Sequence, residues 1–255
     1  MPTGDENVAI SVDGQPIAGT LIALSGYKVP GILFVHGWGA SQEEYLAAAR
    51  AAAKLGCACL SFDMRGHAAT KHQRDRVTRE DNLRDVIAAY DVLASRPDVD
   101  AALIGIVGSS YGAYLAAIAT TERPISCLAL RAPAIYRDCD WDQPKLKLHE
   151  DQELLLYRRR TVAWNDNRAL RACAAFRGDV LIVESEYDAI VPHPVTESYA
   201  AACIRARSVT SHVIANADHA LSEERWRRDY ASLLMNWITL MISNSKHATS
   251  ERMCD

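Results

Sequence analysis

The stretch Gly108-Ser109-Ser110-Tyr111-Gly112 has the residue types and spacing of a nucleophilic serine at a sharp turn. Such a turn between a strand and a helix strains the backbone, and only very small residues two positions before and after the nucleophile avoid collision. Ser110 has glycines at both of those positions and Ser109 does not. The apolar run ALIGIV precedes the motif and the helix-like run YLAAIATT follows it, so the flanks agree with a strand, a turn and a helix. A serine hydroxyl is a weak nucleophile at neutral pH. It needs a base, and the base needs a partner that fixes its tautomer and stabilises its positive charge. Asp188, in EYDAIVP after the run DVLIVES, and His219, in NADHAL after the run SVTSHVIA, supply both in the order serine, acid, histidine. The chemistry of such a trio is acyl transfer.

Other acids and histidines lie nearby. Glu184 and Glu186 either belong to the strand or precede the turn, and Asp218 adjoins His219 too closely in sequence for both to share one hydrogen bond, which suits it to capping a loop. His193 sits between two prolines, His212 falls mid-strand, and His36 and His67 are further candidates for structural or solvated histidines. Acyl transfer also needs donors aimed at the developing oxyanion. The backbone N–H groups of Tyr111, directly after the nucleophile, and of Trp38, in the turn His36-Gly37-Trp38-Gly39, are the two expected donors.

These residues need a scaffold. The apolar runs GILFVH, CACLSF, ALIGIVG, SCLALRA, DVLIVES and SVTSHVIA alternate with helical patterns, which predicts an α/β protein with a doubly wound, mostly parallel sheet and helices on both faces. NVAISV and PIAGTLIAL predict an antiparallel hairpin at one edge. All three chemical candidates then stand at C-terminal strand ends, where open α/β sheets build their sites. Ser41 and Glu44 have the spacing of a capping box, with Gly56 at the far end of that helix. Leu83, Val86, Ile87 and Tyr90 form the core face of the next helix, which Pro97 stops. Trp226, Tyr230, Leu233, Leu234, Trp237 and Met241 form that of the last, and the polar tail after Ser243 is expected to fray. The charged segment from Tyr136 to Phe176 is far longer than an ordinary connection and reads as an inserted lid within one domain of 255 residues.

Composition narrows the partners. A formal charge of −4 without a basic stripe argues against nucleic acid and anionic membranes, and no apolar run approaches a bilayer span. The start MPTGDENVAI lacks a cationic segment leading into a long apolar run, so an unexported, cytoplasmic protein is expected. Seven cysteines lack metal-type pairing, and Cys57, Cys59 and Cys127 lie in apolar runs, which suits buried free thiols and implies no metal site.

Taken in order, HGWG, DMRGH, GSSYG, EYDAIVP and NADH resemble the motif set of the α/β-hydrolase superfamily, over nearly the whole chain from about Val8 to Ile242. The elbow and short lid are similar to the esterase and acylaminoacyl-peptidase-like branch, with its dienelactone-hydrolase-like and feruloyl-esterase-like enzymes. The resemblance implies Ser110 as nucleophile, Asp188 as acid, His219 as base, oxyanion amides at Trp38 and Tyr111, and no cofactor. Two positions depart from it: Ala68 stands where a glycine usually follows D-x-R-G-H, and Ser185 where a glycine commonly precedes the acid loop. The expected activity is that of a carboxylesterase on small-molecule esters, with peptidase, amidase, thioesterase or noncatalytic ligand binding as alternatives. Epoxide and haloalkane chemistry on this fold would use an aspartate at the elbow. An ester is favoured over a peptide because peptidases with this elbow commonly carry a large gating domain for which this chain has no room. Trp141, Tyr157 and Trp164 are the aromatic candidates for the pocket wall under the lid, and a homodimer is compatible with the sequence.

Overall fold

The computed structural model describes residues 4–23, 28–149 and 151–252, with backbone alone for 149 and 244–252. Eight strands form one sheet in the order β1-β2-β4-β3-β5-β6-β7-β8. They are β1 (Gly4–Val12), β2 (Gln15–Ala23), β3 (Val29–Val35), β4 (Ala58–Phe62), β5 (Val99–Ser109), β6 (Cys127–Arg131), β7 (Asp179–Ser185) and β8 (Ser208–Ile214). β1 and β2 form the expected hairpin, β2 runs antiparallel to β4, and β3 to β8 are mutually parallel.

The apolar runs are continuous because both faces of the sheet are covered. Leu33 and Val35 of β3 point into one core with Leu128, Leu130, Val180 and Ile182, whereas Ile32 and Phe34 point into the other with Ala129, Leu181 and Val183. The first core is closed by α2 (Arg79–Ala94), α3 (Tyr111–Ala119), α5 (Arg168–Ala175) and α6 (His193–Ala202). The second is closed by α1 (Glu43–Lys54) and α7 (Glu224–Arg252), through residues such as Ala49, Ala53, Leu234 and Trp237.

Helix ends follow tertiary bonds more than local pattern. The Ser41–Glu44 capping box does not form: α1 begins after Gln42, which makes no side-chain cap. The Gln42 N–H and side-chain amide donate instead to the two carboxylate oxygens of Asp63, at 2.8 and 3.0 Å, tying the helix start to the loop after β4. A capping box occurs at α2, where Thr78 and Asp81 satisfy one another's backbone N–H groups. Gly56 ends α1 with a φ of 94°, as its position predicts. α7 continues to Arg252 rather than ending near Ser243, because no glycine or proline interrupts that stretch.

Residues 136–176 hold the short helix α4 (Gln152–Arg158), then α5, and single helical turns at Asp138–Asp140, Lys145–His149 and Trp164–Asp166. Arg137 pins the segment by ion pairs to Asp140 at 2.9 Å and Asp151 at 2.7 Å, with Glu153 as a third partner.

Candidate active site

Ser110 sits where β5 passes into α3, with a φ of 51° and ψ of −113°, a strained conformation for a residue with a side chain. Its backbone is held on both sides: its N–H donates to the Arg131 carbonyl at 2.8 Å, and its carbonyl accepts from Ala134 at 3.0 Å and Tyr114 at 3.1 Å. The two glycines have separate reasons. A Cβ on Gly108 would lie 2.7 Å from the Ala113 backbone nitrogen, and one on Gly112 would strike the carbonyls of Val35 and His36.

Asp188 and His219 lie in the loops after β7 and β8. His219 Nε2 is 3.0 Å from Ser110 Oγ, and its Nδ1 is 2.6 Å from Asp188 Oδ2. A carboxylate only accepts, so Nδ1 carries the proton and Nε2 is left as the acceptor for the serine hydroxyl. The other carboxylate oxygen, Oδ1, accepts the N–H groups of Ile190 at 2.8 Å and Val191 at 2.7 Å, which fixes the orientation of Asp188. The competing groups are engaged elsewhere. Glu184 pairs with His193 at 2.8 Å, Glu186 accepts from the Asn216 N–H, and Asp218 caps Ser222. Ser109 is buried and its hydroxyl accepts from Arg131.

The turn after β3 passes beside Ser110: a Cβ on Gly37 would lie 3.6 Å from that of Ser110. Ala40 N–H donates to the Gly37 carbonyl at 3.2 Å and Gly39 takes a φ of 87°, which swings the Gly37-Trp38 backbone around the serine. Beneath this turn lies the DMRGH stretch. His36 Nδ1 donates to the Gly37 carbonyl at 2.8 Å while its Nε2 accepts from the Met64 N–H at 3.1 Å, a pattern that only the neutral ring can make. His67 packs edge-on against both His36 and Trp38. Ala68 takes a φ of 44°, the left-handed backbone that explains why glycine is usual there.

Burial lowers the pKa of both His36 and His67 to about 4. Unfolded histidines bind protons near pH 6.5, so between about pH 6.5 and 4 the unfolded chain holds more protons and the folded state loses stability as pH falls. The loss should reach on the order of 3 kcal/mol per ring by pH 4. The expected result is a Tm that drops steadily across that window, less steeply in a His67→Phe variant; a Tm flat from pH 7 to 4.5 would mean that the rings are charged in the folded protein.

Sequence reasoning missed Arg131. This buried guanidinium donates to the His219 carbonyl at 2.8 Å and to Ser109 Oγ, joining the loop after β8 to the turn after β5. Its one sequence signal is a lone charge ending the apolar run SCLALR. If His219 is used in turnover, Arg131→Met should lower kcat by about 10- to 100-fold through its misplacement, with Ser110 still present to be labelled; an unchanged kcat would show that the His219 loop holds itself.

The expected wall aromatics are dispersed. The Trp141 indole N–H donates to Glu80 at 2.9 Å and its ring lies 4.2 Å from the Arg168 guanidinium. Tyr157 accepts from Asn167, and Trp164 is half-exposed. Among the described residues, none of the three hydrogen-bonds to Ser110, Asp188 or His219. Among those residues, too, no cluster of three His, Cys, Asp or Glu side chains offers a metal site and no helix is long and apolar enough to cross a membrane.

A sheet of this order with a serine at the turn after its central strand defines an α/β hydrolase. The chain belongs to the prolyl oligopeptidase family, whose model matches residues 41–245. Two uncharacterized proteins from strains of Mycobacterium tuberculosis are 31% identical over 134 residues, 52% of this chain and 47% of each relative. The chain thus spans about half the length of the curated relatives it matches. Among solved structures, it is similar to the dienelactone hydrolase of Anabaena variabilis, with a TM-score of 0.64 and 21% identity over 92% of this chain and 96% of that one. A Butyrivibrio proteoclasticus protein with ferulic acid bound gives 0.68 and 17%, covering 93% and 98%. The acylaminoacyl peptidase of Pyrococcus horikoshii gives 0.69 and 17%, covering 94% of this chain and 42% of that one. At these identities the solved structures establish a shared fold.

Proposed function

We propose that the protein hydrolyses carboxylic esters of small molecules through an acyl-enzyme on Ser110. The observation that carries this is the line from Ser110 Oγ to His219 Nε2 at 3.0 Å and from His219 Nδ1 to Asp188 at 2.6 Å, set on a strained elbow. His219 takes the hydroxyl proton as Oγ attacks the ester carbonyl, Asp188 stabilises the imidazolium, and the proton passes to the departing alcohol. Water then attacks the acyl-enzyme through the same base. The backbone N–H groups of Trp38 and Tyr111 are the proposed oxyanion donors. The segment 136–176 is the proposed lid, with Trp141, Tyr157 and Trp164 as proposed wall residues once it moves. A cytoplasmic setting belongs to the same proposal, since Cys59, Cys127, Cys139, Cys173 and Cys203 are free thiols.

A chain-length series of p-nitrophenyl esters tests the activity, and the acyl length with the highest kcat/KM defines the pocket. Cleavage of peptides or amides is the second reading, favoured by the family match. Faster turnover of aminoacyl p-nitroanilides than of any ester in the series would replace the ester proposal with that one.

A further inference from the structure

Three cations are buried together around one tyrosine ring. Arg79 begins α2 and is fully buried, Lys145 lies in the segment after β6, and Arg158 ends α4. They surround Tyr136: Lys145 Nζ and Arg158 Cζ each lie 4.9 Å from its ring centroid and Arg79 Cζ 5.5 Å. They contact three residues that neighbour the Ser110 site. Lys145 Nζ is 4.7 Å from the ring of Trp38 and 5.1 Å from that of Tyr111, the residue after Ser110. Arg158 donates to the carbonyl of Ile190, whose own N–H holds Asp188.

A guanidinium taken out of water is normally paired with a carboxylate, because burying an uncompensated charge costs several kcal/mol. Arg79 instead gives Nη1 to the Tyr114 hydroxyl and the Arg137 carbonyl, and Arg158 gives Nε and Nη1 to the carbonyls of Ile135 and Ile190. Neither is ion-paired to a carboxylate among the described residues, and Nε and Nη2 of Arg79 have no hydrogen-bond partner. Those two N–H groups form the edge of the guanidinium that grips the two oxygens of a carboxylate. The acidic group at the centre is the Tyr136 hydroxyl. Burial alone would raise its pKa, but Lys145 and Arg158 outweigh that and hold it below the usual phenol range. Even an ionised phenol would bring one negative charge against the two guanidinium groups of Arg79 and Arg158.

We propose that Arg79, Lys145 and Arg158 form an anion subsite, and that the ester hydrolysed at Ser110 carries a carboxylate that binds there. This rests on the hydrolase reading of Ser110. Arg79 belongs to the body of the fold while Lys145 and Arg158 belong to the segment 136–176, so a bound carboxylate bridges the two and draws the segment onto the substrate.

The test compares p-nitrophenyl hydrogen glutarate with its neutral methyl ester, which shares its acyl chain but lacks the charge. The anionic ester should have the higher kcat/KM by about 10- to 100-fold, mainly through KM, and Arg79→Met and Lys145→Met should each cut that ratio by a similar factor. Melting curves establish that both variants fold. A native ratio at or below one, unchanged in both variants, would overturn the proposal. Titration calorimetry of Ser110→Ala with monomethyl glutarate reads the subsite without turnover. Binding that is lost on adding Arg79→Met supports the subsite even if no ester is cleaved by the native protein, a result that would sink the hydrolase reading alone. Absence of binding would overturn the subsite even if neutral esters are turned over.

Discussion

Replacing Ser110 by alanine is expected to lower kcat for p-nitrophenyl esters by about a million-fold, to the residual rate that binding and backbone donors alone can give. The size follows from the geometry. Removing Oγ leaves the His219–Asp188 pair intact at 2.6 Å but with nothing to activate, and no neighbouring hydroxyl can substitute. Ser109 is buried with its hydroxyl held by Arg131, so Ser109→Ala should retain turnover. KM should change little, because the lost oxygen acts on the transition state and scarcely on substrate binding. Parallel assays of the native protein and both variants check this, with melting curves to show that Ser110→Ala is folded. Equal activity in native protein and Ser110→Ala would show that the nucleophile lies elsewhere.

Asp188→Asn should cost about 10⁴-fold in kcat while leaving the fold unchanged. The carboxylate is held at both ends: Oδ1 accepts two backbone N–H groups, from Ile190 and Val191, and Oδ2 faces His219 Nδ1. An asparagine must keep its oxygen against those N–H donors, which turns its NH2 group toward Nδ1. Nδ1 then has to accept, its proton moves to Nε2, and the ring can no longer take the Ser110 proton. Asp188→Ala, which imposes no tautomer, should lose less than Asp188→Asn. The ratio of the two kcat values is the measurement, and an Asp188→Asn enzyme faster than Asp188→Ala would contradict the tautomer argument.

Much of this arrangement was legible in the chain because it depends on local spacing. The six parallel runs and the edge hairpin became strands, since burial on both faces demands unbroken apolar stretches and an edge hairpin does not. The serine, aspartate and histidine were readable because each follows a strand, and a parallel sheet brings C-terminal strand ends together. What was not legible depends on partners distant in sequence. Ser41 and Glu44 have capping spacing, yet Asp63 captures the start of α1. Arg131, Lys145 and Arg158 look like ordinary charges until the fold buries them, and the rings of Tyr136 and Tyr111 packed against Lys145 carry no spacing signal of that contact. The segment 136–176 carries little periodicity, so its internal contacts could not be read from residue spacing.

The central claim is that Ser110 carries the acyl group during turnover. Mixing the protein with excess p-nitrophenyl butyrate, quenching in acid within milliseconds and mapping the mass gain by peptide mass spectrometry tests it directly. A butyryl group on the peptide containing Ser110, appearing with a burst of p-nitrophenol of about one equivalent and absent from Ser110→Ala, is the predicted result. Turnover with the acyl group on another residue, or with no acylated peptide in Asp188→Asn or native protein at any time, would contradict it.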